Sequence, residues 1–451
     1  MDYSEYFGGA LRFNTLFMCI NSILIIIFFY SWYRSYKRTG WTIDFWHVTL
    51  FLNYFLTFLL MYPFSTAELN SLVISERNLM IVRRAIDSAY IISLVGYMSV
   101  FLGGAIFRYY KEATPIYWFL IRPVRNTVGE LYTRLVVNRK VTRTVCFFYF
   151  GALLSSLFFA YRAGMLNDPR GFYAQNDQFR FLFNFVNSLS GIVSSFLVVR
   201  IMQFNLRSDK LLLVLFLLIT LFIGSRGGII SPLIGIFTAY VYYRKQGRIK
   251  LGKVLFFAVV VLVLIMALSF FRAGEFSASV MLSAFSLQVF YGNSFSDLRD
   301  FSWILSVWDG VHFYGKTYLA AFMSFIPSSI SEFRYQWSIG KVTAVMAGYS
   351  PKEHPGLRPG MFGESYFNFG IVGVILLGIL LGYAWKYFDH NIRKYAYTDN
   401  KIGGFVAGVS TMFIGSLSIT AGFFGIYVVI VVYCCLYLYK LFLNVYKKTT
   451  A

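Results

Sequence analysis

Eleven stretches of this chain are apolar over most or all of a bilayer's width, and that removes nearly every fold open to a soluble protein. They are Phe13–Tyr33, Trp41–Tyr62, Ile86–Phe107, Thr144–Tyr161, Phe181–Met202, Leu211–Gly224, Ile229–Tyr243, Val254–Phe271, Ser365–Tyr383, Ile402–Thr420 and Phe423–Leu443. A spanning helix needs roughly 17–25 such residues. Hydrocarbon offers backbone N–H and C=O groups no water, so segments of this kind must satisfy their own hydrogen bonds as helices. The expected fold class is therefore an all-α polytopic integral membrane protein with about 11 (11–12) transmembrane helices. Composition agrees, since charged residues make up 14% of the chain against about 25% in soluble domains.

The net charge of +21 raises a nucleic-acid reading until the charges are placed. When the segments between spans are assigned to alternate sides, one side carries 26 of the 41 Lys/Arg with six acids, and the other 15 with 14 acids. By the positive-inside rule the first side is cytoplasmic, which puts the N-terminus outside and the C-terminus inside. The charge then reports topology and contact with anionic membrane lipids, with no nucleic-acid partner. The N-terminus lacks the basic stretch and cleavage site of a signal peptide, so the first helix is expected to remain. Cys19, Cys146, Cys434 and Cys435 fall in or at spans and imply no disulfide framework.

This arrangement divides the chain into helices 1–8 (residues 1–271), a large outer loop (272–364) and helices 9–11 (365–451). The loop carries seven Lys/Arg, seven Asp/Glu, two histidines and four prolines, so it cannot lie in lipid. Within it, Leu298, Phe301, Ile304, Leu305 and Trp308 recur at helical spacing and predict an amphipathic helix along the membrane surface, part of a lid over a site. The cytoplasmic segment Arg108–Arg143 reads as a surface-bound basic loop. Glycines at 370, 373, 378 and 382 predict close helix packing.

Nucleotide hydrolysis, serine hydrolysis and zinc chemistry have no foothold, because the chain has no phosphate-binding glycine loop, G-x-S-x-G, H-E-x-x-H or C-x-x-C. No metal or cofactor is called for. The outer side instead offers Arg226, Arg272, Arg299, Arg334 and Arg358, together with Asp297, Asp309, His354 and Glu364. Arg226 sits between two short apolar segments and beside Gly227 and Gly228, either sunk at a helix N-terminus that favours anions or reaching up to the headgroups. Several guanidinium groups can neutralise a pyrophosphate leaving group without a metal, and a carboxylate or histidine can take the proton from an attacking hydroxyl. That pairing fits glycosyl transfer from a lipid pyrophosphate. Asp297 and Asp300 also fit the solvated face of an amphipathic helix.

In order and spacing, GSRGGIISPLIGIFTAY, FRAG, FYGNSFSDLRD followed by FYGKTYLAAFMSFIPSS, and GESYFNFGIVGVILLGILLG resemble the oligosaccharide repeat-unit polymerases of the Wzy family, which include O-antigen and enterobacterial common antigen polymerases. The likeness covers about Leu211 to Gly382. It implies a GT-C-like glycosyltransferase of the bacterial inner (cytoplasmic) membrane, working at the periplasmic face without metal. Such an enzyme moves a growing glycan from one undecaprenyl pyrophosphate to a second lipid-linked repeat unit, so both donor and acceptor are undecaprenyl-pyrophosphate-linked oligosaccharides. A chain-length regulator is a usual partner in the family. The resemblance places pyrophosphate contacts at Arg226 and Arg272, with Arg299 and Arg358 as further candidates, its Ile-Pro turn at Ile326-Pro327, and its acidic residue at Glu364. Glu364 and His354 are the alternatives for the base. O-antigen ligases have a similar layout and use a histidine, so His354 keeps that activity open; a lipid-linked oligosaccharide flippase is a third reading. Family members commonly show about twelve helices with a cytoplasmic N-terminus, which differs from the orientation read here.

Overall fold

A computed structural model of the chain describes residues 14–66, 76–165, 172–173, 176–223, 236–238, 240–273, 296–323, 330–350, 356–398 and 402–404, and single positions at 233, 326, 406 and 437. Every regular element among them is helical. In chain order they are α1 (Thr15–Thr39), α2 (Phe45–Leu50, widening into π-helical turns over Phe51–Leu59 and ending in Met61–Thr66), α3 (Glu76–Tyr110), α4 (Arg122–Val137), α5 (Arg139–Arg162), α6 (Asp177–Phe204), α7 (Arg207–Ile223), α8 (Leu251–Ala273), α9 (Asp297–Val307), α10 (Lys316–Phe322), α11 (Glu332–Trp337), α12 (Ile339–Met346) and α13 (Gly360–Ala396). Five described helices are long and apolar enough to cross a membrane, Thr15–Thr39, Phe45–Pro63, Val82–Ala113, Arg139–Arg162 and Gly360–Ala396. Each coincides with an expected span. Helices α6, α7 and α8 occupy three more of the expected positions; the expected span Ile229–Tyr243 is described only in part, and the last two expected spans lie almost wholly outside the described residues. The chain is thus an all-α membrane protein.

The described residues fall into two compact units, one holding those up to Trp118 and those between Ser277 and His390, the other most of the remainder. In the first unit, Asp44 caps α2 by accepting from the His47 N–H at 2.8 Å. The same carboxylate holds the His47 ring and accepts from the Ser35 hydroxyl at 2.9 Å, while His47 Nε2 reaches Ser31 at 3.1 Å. Buried polar groups need partners, and this chain of bonds ties α1 to α2. The π-helical turns leave the Asn53 carbonyl open to the hydroxyls of Tyr97 and Thr57.

Glycines set the approach of α3 to α13. A Cβ at Gly103 would collide with the Ile379 carbonyl, at Gly378 with that of Gly96, and at Gly382 with that of Val100. The spacing predicted this packing for 378 and 382. Gly370 behaves differently: at φ 64° and ψ −158° it interrupts α13.

Helix α9 packs along α3. Leu298, Phe301 and Ile304 are buried in the same apolar cluster as Val82, Ile86 and Tyr90, and the Ser302 hydroxyl donates to the Val82 carbonyl. The amphipathic helix is where periodicity put it, but its stripe faces protein and not a membrane surface.

The second unit is built on Tyr132, Leu135, Tyr149, Leu153, Phe196, Leu197 and Phe216. The Arg108–Arg143 segment contributes to it as the packed helix α4, so it is not simply a surface loop. Arg200, one of the charges counted at the cytoplasmic side, is 1% exposed and pairs with Asp209 at 2.9 Å while donating to the Val136 carbonyl.

Candidate functional site

Four of the sequence-nominated residues, Asp297, Arg299, Arg358 and Glu364, lie at the start of α9 and around the start of α13, both in the first unit. Asp300 is the hub. Its Oδ1 accepts from Arg299 Nε at 3.1 Å and from a terminal guanidinium nitrogen of Arg299 at 2.9 Å; its Oδ2 accepts from the Ser296 hydroxyl at 3.0 Å and the Arg358 backbone N–H at 3.3 Å. Arg299 and Asp300 are both buried. A buried carboxylate is tolerable only with such partners, so this pair fixes the 356–359 strap against α9.

One turn back, Asp297 has no such set of bonds. Its Cβ lies 3.1 Å from where a Cβ on Gly360 would be, and the φ of +66° there is one that side-chain-bearing residues rarely adopt. It lines a small cleft with Thr57, Phe58, Ser93, Tyr97, Phe301, Pro359 and Gly363. The cleft holds about 30 Å3, enough for one water-sized group. Loss of solvent pushes the Asp297 carboxyl up from 3.8 to about 6, with the Arg358 guanidinium pulling it down and the charge of Asp300 pushing it up. Desolvation outweighs the arginine.

Glu364 is 2% exposed in the second turn of α13. The Tyr318 hydroxyl of α10 lies beside it, its pKa raised first by burial and then by the Glu364 charge, and bonded to Ser365. Asn368 donates from Nδ2 to the Thr317 hydroxyl at 2.7 Å and to the Glu364 carbonyl at 2.8 Å; its Oδ1 is buried without a hydrogen-bond partner among the described residues. The break at Gly370 frees carbonyls at the end of the first half of α13. The loop before α10 covers two of them: Phe313 N–H donates to the Phe367 carbonyl at 2.8 Å and Tyr314 N–H to that of Asn368 at 3.1 Å. His312 lies over the break, with Nε2 3.3 Å from where a Cβ on Gly370 would be. Its Nδ1 also lacks a hydrogen-bond partner among the described residues.

The other nominated residues are dispersed or lie outside the description. Arg334 donates to the Ile326 carbonyl, immediately before Pro327. Exposed Asp309 accepts from the Val311 N–H at 3.0 Å. Arg358 is exposed and reaches the Asp297 charge. Arg226 and His354 lie outside the described residues, and Arg272 is in α8 at a position where only the backbone is described. His312, Asn368, Thr317 and Tyr318 were not singled out from the sequence. The one signal is for Asn368, an amide two residues before Gly370 at the start of an otherwise apolar span. Among the described residues no group of three or more His, Cys, Asp or Glu is placed to hold a metal.

Compared with protein-family models, curated proteins and solved structures, the chain has no significant match in any of the three.

Proposed function

We propose that the chain is a metal-independent glycosyltransferase that polymerises undecaprenyl-pyrophosphate-linked oligosaccharide repeat units at the outer face of the inner membrane. The observation that carries this reading is Asp297, a carboxylate raised to about 6 beside Arg358 in the loop whose motifs resemble the polymerases. A base for a sugar hydroxyl works best with a pKa near the operating pH, and a guanidinium next to it is suited to the oxygens of a departing pyrophosphate. In this reading Asp297 joins Glu364 and His354 as a candidate base. Arg226, Arg272 and Arg358 contact the pyrophosphate, and Arg299 holds Asp300 and the strap in position. The acceptor hydroxyl loses its proton to the base as its oxygen attacks the anomeric carbon; the bond to the pyrophosphate oxygen breaks, and undecaprenyl pyrophosphate leaves as the anion.

The experiment uses purified protein in liposomes with an undecaprenyl-pyrophosphate-linked repeat unit and a chelator, comparing wild type with Arg226→Ala, Arg272→Ala and Asp297→Asn on a glycan gel. The expected result is a ladder from wild type that collapses to single units in the arginine variants. Folded wild-type protein that makes no ladder overturns the proposal and moves the reading to ligase, tested by adding a lipid A-core acceptor. Lipid-linked oligosaccharide that crosses the vesicle membrane without growing supports a flippase.

A further inference from the structure

We propose that a second cleft of the first unit, between the end of α9 and helices α11 and α12, is a saccharide subsite; it goes beyond the polymerase reading by locating where a glycan chain rests, and depends on that reading only for which glycan it is. The cleft holds about 440 Å3, within the ~300–1,000 Å3 of small-ligand sites. Its lining includes two indoles, Trp308 and Trp337, and three polar side chains, Asp309, Gln336 and Lys341, with Val342 and Met346 beneath.

Both rings are fixed before any ligand arrives. Trp308 donates from Nε1 to the Val311 carbonyl at 3.0 Å and packs edge-on against Tyr366 and Phe367. Trp337 has the Lys316 ammonium 4.4 Å from its ring centre and Phe313 at its edge. Rings already held in place lose little freedom on binding. Gln336 uses its Nε2 on Glu332 at 2.8 Å, so the carboxamide oxygen remains an acceptor.

A pyranose presents C–H faces to aromatic rings and hydroxyls, each both donor and acceptor, around its edge. An acceptor carboxylate and a carboxamide oxygen beside two indoles match that pattern, while the Lys341 ammonium lies over the Tyr335 ring. A lipid tail would leave these polar groups unsatisfied. Along α9, at about 1.5 Å per residue, the cleft lies about 15 Å from Asp297, a reach suited to an oligosaccharide with one end at the carboxylate.

The probe is the free oligosaccharide released by mild acid from the lipid-linked pool of the producing cells, titrated against full-length protein in detergent by saturation-transfer NMR. Wild type is expected to bind, Trp337→Ala to bind at least tenfold more weakly, and Gln336→Ala, an exposed change that leaves folding intact, to bind several-fold more weakly. No binding by wild type, equal binding by all three, or displacement by undecaprenyl phosphate without sugar overturns the proposal. The same proteins are run in the liposome assay. A wild-type ladder with unchanged binding in the variants sinks the subsite alone; variant-sensitive binding without a ladder sinks the polymerase reading alone.

Discussion

Asp297 and Asp300 are three residues apart on one helix, yet their surroundings set them different tasks. Asp300 is bonded by Arg299, Ser296 and the Arg358 N–H, whereas Asp297 meets mainly Gly360 and the Arg358 charge and is raised to about 6. If Asp297 is the base it must be deprotonated to act, so polymerisation is expected to rise with pH through about 6 and level off above. Asp297→Asn should lower the rate by about 10²–10⁴ and remove that rise, as a pH profile of the liposome reaction would read. Stability gives an independent check. The folded pKa lies above the unfolded one, so the native state binds the extra proton between 3.8 and about 6, and stability falls as pH rises through that window. Asp297→Asn is therefore expected to raise stability at pH 7 by on the order of 1 kcal/mol, after discounting for partial exposure, seen as a higher thermal midpoint in detergent, and to leave the midpoint unchanged near pH 3.5. Equal effects at both pH values would mean that the carboxylate is not desolvated. Arg299→Ala should be strongly destabilising, by up to about 3–5 kcal/mol, because Asp300 would stay buried with its charge less well met; Ser296 and the Arg358 N–H put the expected value at the low end.

Helix α13 shows what a helical element needs in order to be broken usefully. Gly370 occupies a φ/ψ region open essentially to glycine alone, and two of the carbonyls left over are met by the N–H groups of Phe313 and Tyr314. Gly370→Ala is expected to cost about 1–3 kcal/mol of backbone strain and to push on His312. Circular-dichroism melts should show the loss, and hydrogen exchange should show faster exchange at Phe313 and Tyr314. Unchanged protection there would mean that the break and the loop are not coupled. The same element marks how far sequence reading reached. Glycine spacing announced the contact of Gly378 and Gly382 with α3, because small residues recurring on one helix face have few other uses. The break at Gly370 was not legible, since it requires donors from a loop more than fifty positions earlier, and no local pattern records them. For α9 the spacing of Leu298, Phe301 and Ile304 gave the helix and its apolar face, but an apolar face looks alike whether lipid or α3 will cover it. Asp297, Arg299 and Arg358 were legible as charges in one loop; which of them would be paired and which desolvated depends on the Gly360 turn.

For the whole molecule, orientation follows from where charges meet lipid headgroups, and the Arg200–Asp209 pair tests that logic. Arg200 is enclosed by Asp209 and the Val136 carbonyl, so it does not face the membrane surface as the charge count assumed. Leaving Arg200 out of the count still leaves 25 Lys/Arg on that side against 15 on the other. The positive-inside assignment therefore survives the burial of one of its arginines, and it makes a prediction independent of any activity. Tyr314, in the loop before α10, and Tyr109, at the end of α3, are 75% and 78% exposed, so a cysteine at either should be tolerated and reactive. In a background with the four native cysteines replaced, a membrane-impermeant maleimide applied to cells with a permeabilised outer membrane is expected to label Tyr314→Cys directly. Tyr109→Cys should label only after the inner membrane is opened. Reversed labelling would put the loop of Asp297 and Arg358 on the cytoplasmic side, where polymerisation at the outer face could not use it. It would also show that a basic segment such as Arg108–Arg143, once folded into a packed helix, no longer acts on topology as a free basic loop does.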